Sequence, residues 1–404
     1  MKEHVALRRS ISLTMVTFYG LGTIIGAGIY VLIGKVAGEA GLYAPLAFLV
    51  AALLVAFTAF SYAELVSRYP RSAGEAVYVG RAFKQPWLAR TIGLLIIVIG
   101  IISTATLANG FVGYLDRFIE LPDWLTMSAL VVGLGIIAAW GIKQSVGFAA
   151  LLTVVEIIGL FIVLWAARDV VMNLPDHVGT LMPGADALTW QGIMVGAFIA
   201  FYAFIGFEDM VNVAEEVKDA SRTVPISIVI VLIITTLLYV LVAMTAVAGM
   251  PLDELVASEA PLADMYTHYT GQAATVIVII GLLSVLNGIL VQIIMATRVL
   301  YGMSSQGWLH DWFSRVHLGT RTPLNSTLVI TIVILVMALA FPLVTLAKMT
   351  SFVTLLVFTM MNVSLWRVKL IYHDHEGFTV PLLVPILGSF VSGGFLAYQV
   401  VHAL

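Results

Sequence analysis

Apolar runs long enough to cross a lipid bilayer recur along almost the whole of this chain. A membrane-spanning helix needs about 20 apolar residues in a row. Only helices and closed barrels satisfy their own backbone polar groups in lipid. We count eleven such runs, at residues 12–34, 42–67, 87–112, 124–141, 145–166, 189–213, 224–248, 273–300, 324–342, 345–366 and 378–402. The chain is therefore predicted to be an all-α polytopic membrane protein with a single transmembrane domain over residues 1–404.

Composition supports this prediction and excludes other classes of protein. Hydrophobic residues make up 61% of the chain and charged residues 11%, whereas soluble domains have about 45–50% and about 25%. The chain has no cysteine, which excludes disulfides, thiolate nucleophiles and cysteine-ligated metals. The net charge is −3 and there is no basic tail, so nucleic acid is not an expected partner.

Lysine and arginine predict the orientation, because cytoplasmic loops are enriched in both. If the N-terminus is cytoplasmic, sixteen of the 20 basic residues lie on the cytoplasmic side of the runs. The four exceptions are Lys35, Arg117, Arg168 and Lys348. We therefore expect a multi-pass protein of the cell membrane with a cytoplasmic N-terminus.

Two runs are interrupted near the middle by glycine and other small residues. Run one contains GTIIGAG at residues 22–28, and run six contains FYAFIGFE at residues 201–208. Glycine inside a helix costs about 0.5–1 kcal/mol relative to alanine. Interruptions at corresponding positions in two halves of a membrane protein indicate a transporter's binding site.

The two interrupted runs cross the membrane in opposite directions, because five crossings separate them. This topology predicts two inverted repeats, residues 12–166 and residues 189–366. Run eleven, at residues 378–402, then lies outside both repeats.

Five segments, in this order and spacing, resemble the amino acid–polyamine–organocation (APC) permeases. They are GTIIGAGIY at 22–30, PRSAGEAVY at 70–78, FIGFE at 204–208, EEVKDASRTVP at 215–225 and RVLYGMSSQG at 298–307. The resemblance implies the five-plus-five inverted-repeat fold of the leucine transporter, with spans one and six unwound at mid-membrane. It also implies an amino acid substrate, often moved together with a proton. Many members have twelve spans, so the eleven found here leave the oligomeric state open.

At both interruptions the unwound backbone has N–H and C=O groups without helical hydrogen-bond partners, and these groups can bind an amino acid. N–H groups at the start of a half-helix bind anions, so we assign the substrate carboxylate to Gly26, Ala27 and Gly28. The ammonium is assigned to the carbonyls of Thr23, Ile24, Phe201 and Ala203. The predicted lining of the side-chain pocket is Phe201, Phe204, Ile205 and Phe207. The alternative is that Gly22 and Gly26 form a helix-packing face.

One carboxylate stands alone in run five. Glu156 has apolar neighbours on both sides, and an ionisable residue inside a span is a functional hypothesis by default. Proton-coupled members of the resembled family carry a lysine here, and a glutamate reverses the charge. A protonation switch is still predicted after this replacement, but the identity of the coupled ion is left open. Ser284 and Asn287 of run eight are its expected neighbours. The alternative is a permanently protonated structural glutamic acid.

Glu208, at the end of the second interruption, is predicted to gate the pocket or to meet a cationic substrate. The alternative places it near the cytoplasmic surface. A carboxylate in mid-membrane is costly, about 2.5–3.5 kcal/mol on insertion scales. It should therefore face protein or a water path.

The sequence predicts a secondary active transporter, either a proton-coupled symporter or an exchanger, whose partners are an amino acid, a coupling proton and the bilayer. No HExxH, GxSxG or phosphate-binding loop occurs, so no enzymatic activity, metal or cofactor is predicted. One alternative is a polyamine or organocation transporter, which would need acidic residues in its pocket. Another is a transport-inactive scaffold or receptor, in which Gly26, Gly28 or the second interruption should have been lost.

Overall fold

The computed structural model describes residues 7–115, 119, 121–177, 179, 183–258, 260–341, 343–372 and 375–403. Within these residues the regular structure is helical, with one isolated β-bridge between Ile11 and Val217. Eight helical segments are long and apolar enough to cross a membrane. Three shorter apolar helices, Ala187–Tyr202, Leu324–Ala340 and Leu383–Tyr398, lie in predicted runs six, nine and eleven. The predicted all-α polytopic fold is confirmed.

The helices follow the predicted runs, with short helices between them. In chain order they are α1 (Leu13–Ala40), α2 (Ala44–Arg68), α3 (Gly74–Phe83), α4 (Pro86–Leu115), α5 (Asp123–Trp140), α6 (Ile142–Ala166), α7 (Arg168–His177), α8 (Ala187–Tyr202), α9 (Asp209–Asn212), α10 (Ala220–Gly249), α11 (Leu252–Ala257), α12 (Pro261–Thr270), α13 (Thr275–Ser305), α14 (Leu324–Ala340), α15 (Leu343–Ile371) and α16 (Leu383–Ala403). The division into two inverted repeats stays a prediction.

The interrupted helix α1 lies at the centre of the bundle. It packs against α6, α8, α10 and α13. On α8, glycines allow this close approach, as small residues do between membrane helices. A Cβ on Gly192 would lie 2.6 Å from the carbonyl oxygen of Glu39, and one on Gly196 would lie 2.9 Å from Cβ of Ala40. The backbones of α1 and α8 are therefore nearly in contact.

Both predicted interruptions are present in the fold. In α1, Gly26 has φ −12° and ψ −140°, which is not helical. In run six, α8 ends at Tyr202, and helix resumes only at Asp209. Between them Gly206 has φ +134°, a conformation that other residues rarely adopt. Spans one and six are therefore unwound, as the sequence predicts.

Replacing Gly206 by alanine is expected to destabilise the protein. The substitution forces a side chain into φ +134° and brings its Cβ to 2.9 Å from the backbone of Thr23. Backbone strain of this kind costs about 1–3 kcal/mol. We expect the detergent-solubilised variant to unfold at a clearly lower temperature than the unmodified protein.

The matched control is Gly147→Ala on α6, where nothing lies within 4 Å of the added Cβ. Alanine also has the higher helix propensity, so this variant should unfold at or slightly above the original temperature. Equal unfolding temperatures for the two variants would contradict the conformation at Gly206.

Candidate substrate site

The two unwound segments contact each other. A Cβ on Gly206 would lie 2.8 Å from Cγ2 of Thr23, and one on Gly28 would lie 3.1 Å from Cα of Ala203. Glycine at both positions removes the side chains that would hold the segments apart. The structure therefore brings together the two stretches that the sequence analysis singled out separately.

Tyr239 of α10 joins the two segments and was missed by the sequence analysis. Its hydroxyl lies 2.7 Å from the carbonyl oxygen of Ile24 and 3.0 Å from that of Ala203. A hydroxyl has one proton and donates to one of these acceptors at a time. Its ring packs against Phe204 with centroids 5.1 Å apart. A tyrosine in an apolar run signals such a role, because a buried hydroxyl usually finds a partner.

A cavity of about 310 Å³ lies beside the unwound segments, within the range of small-molecule sites. Residues from α1, α4, the end of α8 with the segment after it, α13 and α15 form its walls. They are Gly22, Thr23, Ile24, Gly26, Gly28, Ser103, Thr106, Leu107, Tyr202, Ile205, Ser284, Val285, Gly288, Gln292 and Thr354. The side chain of Ala27 lies outside the described part of the structure.

The three predicted pocket phenylalanines pack elsewhere. Phe201, Phe204 and Phe207 are at most 1% exposed, and none of them lines the cavity. Phe201 and Phe207 pack against Phe358 of α15, with ring centroids 6.3 and 5.4 Å apart. From the same segment, Tyr202 and Ile205 face the cavity. Since the chain is not helical between Tyr202 and Asp209, the sequence spacing there could not show which side chains point inward.

Glu156 is fully buried in α6 and faces α13. Asn287 donates from Nδ2 to Oε1 of Glu156 at 2.9 Å and to Oγ1 of Thr153 at 3.0 Å. Oε2 of Glu156 and Oγ of Ser284 have no hydrogen-bond partner among the described residues. The structure thus brings both predicted neighbours to Glu156: Asn287 by a hydrogen bond, and Ser284 with its hydroxyl beside the carboxyl group and also on the cavity wall.

Gly22 of α1 packs directly on this polar group. A Cβ at Gly22 would run into Oγ1 of Thr153 and Nδ2 of Asn287. The hydroxyl of Tyr30, beyond the break in α1, donates to the carbonyl oxygen of Glu156 at 3.1 Å. Both sides of the break in α1 therefore contact the surroundings of Glu156.

Glu208 lies within the second unwound segment. Its Oε2 accepts a hydrogen bond from the N–H of Gly206 at 2.7 Å. The carboxylate therefore satisfies one of the backbone donors that the break sets free.

A buried ion pair closes the bundle at the predicted cytoplasmic end. Arg298 of α13 donates to both carboxylate oxygens of Glu216, at 3.0 and 3.1 Å, and neither side chain is exposed. The backbone N–H groups of Ser10 and Ile11 donate to the carbonyl oxygen of Glu216. Two unwound segments, a cavity and a closed end together form an arrangement that can hold a small zwitterion.

Comparison with known proteins agrees with this geometry. The model of a family described as "Amino acid permease" matches residues 11–401. Cationic amino acid transporter 3, mitochondrial, of Arabidopsis thaliana is 29% identical over 401 residues, which cover 94% of this chain and 65% of that protein. The branched-chain amino acid permease BcaP of Bacillus subtilis is 28% identical, and the aligned residues cover 89% of this chain and 80% of that protein. The methylthioribose transporter of the same bacterium is 27% identical, and the aligned residues cover 95% of this chain and 87% of that protein.

The chain is shorter than several of these relatives. It spans 60 to 65% of the length of cationic amino acid transporters from Arabidopsis thaliana, Mus musculus and Homo sapiens. Residues 11–401, which the family model matches, include both unwound segments and the helices that line the cavity.

Cysteine labelling tests which side of α4 faces the cavity. The chain has no cysteine, so an introduced cysteine is its single thiol. Thr106 lines the cavity, whereas Thr104 is fully buried and does not. We expect a small methanethiosulfonate to label Thr106→Cys faster than Thr104→Cys by roughly tenfold or more. Equal labelling rates would contradict the position of the cavity.

Proposed function

We propose that this chain, which belongs to the amino acid permease family, is a secondary active transporter that moves amino acids across the cell membrane. The observation that carries the proposal is the contact between two unwound segments beside a cavity of about 310 Å³. Bare backbone at mid-membrane is tolerated where it faces protein or lines a cavity. A zwitterionic substrate supplies the complementary charges.

The substrate carboxylate is proposed to bind the N–H groups of Gly26, Ala27 and Gly28. This assignment is supported by Gly26 and Gly28, which line the cavity and have no side chain to block a close approach. The ammonium is proposed to bind carbonyl oxygens of Thr23, Ile24, Phe201 and Ala203. Because Tyr239 donates to Ile24 or Ala203, its hydroxyl must share these acceptors with the ammonium.

The cationic and branched-chain amino acid carriers among the relatives support an amino acid as the substrate. A free amino acid fits the site better than a polyamine, because a polyamine has no carboxylate for the N–H groups at Gly26 and Gly28. The side chain of the substrate would extend between α4 and α13. That region holds Thr106, Leu107 and Gly288.

Glu156, Ser284 and Asn287 are proposed to couple transport to a proton. Glu156 shares Asn287 with Thr153, and Gly22 of α1 packs on that pair. Protonation of Glu156 weakens the hydrogen bond that it accepts from the Asn287 amide, because a neutral carboxylic acid is a weaker acceptor than a carboxylate. A movement of the Asn287 side chain then displaces α1 at Gly22, which packs against it. Gly22 lies close to the break in α1 that is proposed to bind the substrate.

Transport requires the two ends of the site to open in turn. We propose that the N-terminus is cytoplasmic, as the lysine and arginine distribution indicates. The Arg298–Glu216 pair and the Ser10–Ile11 backbone then close the cytoplasmic end. Glu208 is the proposed gate between the cavity and this end, because its carboxylate holds the unwound segment at Gly206.

Gly28→Leu is expected to abolish amino acid uptake into proteoliposomes. The new side chain would meet the backbone of Ala203, 3.1 Å from the first added atom, and would cover the N–H groups assigned to the carboxylate. Uptake of a radiolabelled amino acid should fall by roughly tenfold or more, equivalent to about 1.4 kcal/mol or more. The control Gly133→Leu on α5, where nothing lies within 4 Å, should retain uptake. Full activity of Gly28→Leu would overturn the site.

Glu156→Gln is expected to remove the dependence of uptake on an imposed pH gradient. Glutamine keeps the size and an acceptor for Asn287 but does not titrate. Equilibrium binding of the amino acid to the purified protein should change little. A variant that still responds to the pH gradient like the unmodified protein would exclude Glu156 from coupling.

A further inference from the structure

A second cavity, of about 60 Å³, adjoins the substrate cavity. The two cavities share the wall residues Ser103, Ile205, Gln292 and Thr354. Along α13 the lining passes from Ser284 and Gly288 in the first cavity to Gln292 and Met295 in the second. The second cavity therefore continues the first toward the proposed cytoplasmic side.

Three carboxylates line this second cavity, which we call the acid chamber. They are Glu75 from α3, Glu208 from the unwound segment and Asp209 from α9. Glu75 is 1% exposed and Asp209 is 3% exposed. The described lining contains no lysine, arginine or histidine. Buried carboxylates are normally paired with a cation or metal, and the described residues of the chamber supply neither.

Two of the carboxylates have neutral hydrogen-bond partners from side chains. Asp209 accepts from Nε2 of Gln292 at 2.7 Å, and Oε1 of Glu75 accepts from Nδ2 of Asn212 at 3.3 Å. The amide oxygen of Asn212 in turn accepts from the N–H of Gly74 at 3.0 Å. These contacts hold both carboxyl groups in place, and no cationic side chain in the described lining pairs with either of them.

Three acceptor atoms of the chamber lining have no hydrogen-bond partner among the described residues. They are Oε2 of Glu75, the hydroxyl of Tyr62 and Oε1 of Gln292. Tyr62 is fully buried, and it packs edge-on against Phe207 and Phe358. Buried polar atoms in proteins normally have partners. Each of these three atoms accepts hydrogen bonds once Glu75 is ionised, so one ligand that carries several donors can satisfy all three.

We propose that the acid chamber binds the cationic group at the end of a substrate side chain, a primary ammonium or a guanidinium, and that Glu75 is the residue that selects it. The inference rests on the proposed function, since the α-carboxylate and α-ammonium of the same substrate occupy the first cavity. An ammonium has three donors and a guanidinium has five. Hydrogen bonds from such cations to carboxylates are among the strongest in proteins.

The pKa of Glu75 makes the proposed cation binding depend on pH near neutrality. Burial, with a further contribution from nearby Glu208, raises the pKa of Glu75 to about 8 despite the hydrogen bond from Asn212. The other titratable groups near it are Asp209, Tyr62 and Tyr78. At neutral pH without a bound cation Glu75 therefore keeps its proton, and a cationic group releases that proton on binding. Arginine binding should tighten as the pH rises toward about 8.

Arginine and citrulline provide a matched test in proteoliposomes. They have nearly the same shape, but citrulline ends in a neutral urea group. We expect unmodified protein to take up radiolabelled arginine faster than citrulline. Glu75→Gln should lose this preference, by roughly tenfold in arginine uptake, while uptake of citrulline and leucine is retained. Glu254→Gln, an exposed acid on α11, is the control and should behave as the unmodified protein.

Tyr62→Phe provides a second variant in case Glu75→Gln does not fold. It removes one unpartnered acceptor and keeps the ring contacts, so arginine uptake should fall with little change for citrulline. Binding at different pH values, measured as thermal stabilisation of the purified protein by arginine, should lose its increase toward pH 8 in Glu75→Gln.

Equal uptake rates of arginine and citrulline by the unmodified protein would overturn the acid chamber as a cation site. The proposed transport of amino acids would remain intact. An arginine preference that survives in both Glu75→Gln and Tyr62→Phe would overturn it as well. Failure to transport any amino acid would instead overturn the proposed function itself.

Discussion

Every backbone N–H and C=O group inside a bilayer needs a hydrogen-bond partner. The geometry of the site depends on how the groups freed by two interrupted helices find such partners. The breaks at Gly26 and Gly206 lie in adjoining segments. Tyr239 donates to carbonyl oxygens on both segments in turn, and Glu208 accepts from the N–H of Gly206. Other peptide groups border the cavity, where a substrate can meet them.

Buried polar groups surround this centre on two sides. Glu156 and Asn287 lie behind α1 and contact it at Gly22, whereas the acid chamber lies beyond the cavity toward the Arg298–Glu216 pair. Polar groups inside a membrane domain are costly and mark functional paths. We propose that the Glu156–Asn287 network couples transport to a proton and that the acid chamber recognises a charged substrate side chain.

The sequence was sufficient to predict the helices and both interruptions, because apolar length and glycine position are local properties. The resemblance to the permease family also led to Ser284 and Asn287 as the neighbours of Glu156, because it placed Glu156 at the coupling position of span five. The sequence could not orient Phe204 and Phe207, since an unwound segment has no fixed period. It also missed that Phe201, at the end of α8, packs against Phe358 and not into the cavity. Tyr239 and Glu75 were missed, because their roles come from contacts between elements that are distant in the chain.

The central claim is that bare N–H groups at the break in α1 bind a carboxylate. The most direct measurement is competition against uptake of a radiolabelled amino acid by its decarboxylated amine, which keeps the side chain and the ammonium. We expect the unlabelled amino acid to compete with the labelled one and the amine not to compete. Equal competition by the amine would contradict carboxylate binding at Gly26, Ala27 and Gly28 and would favour an organocation carrier.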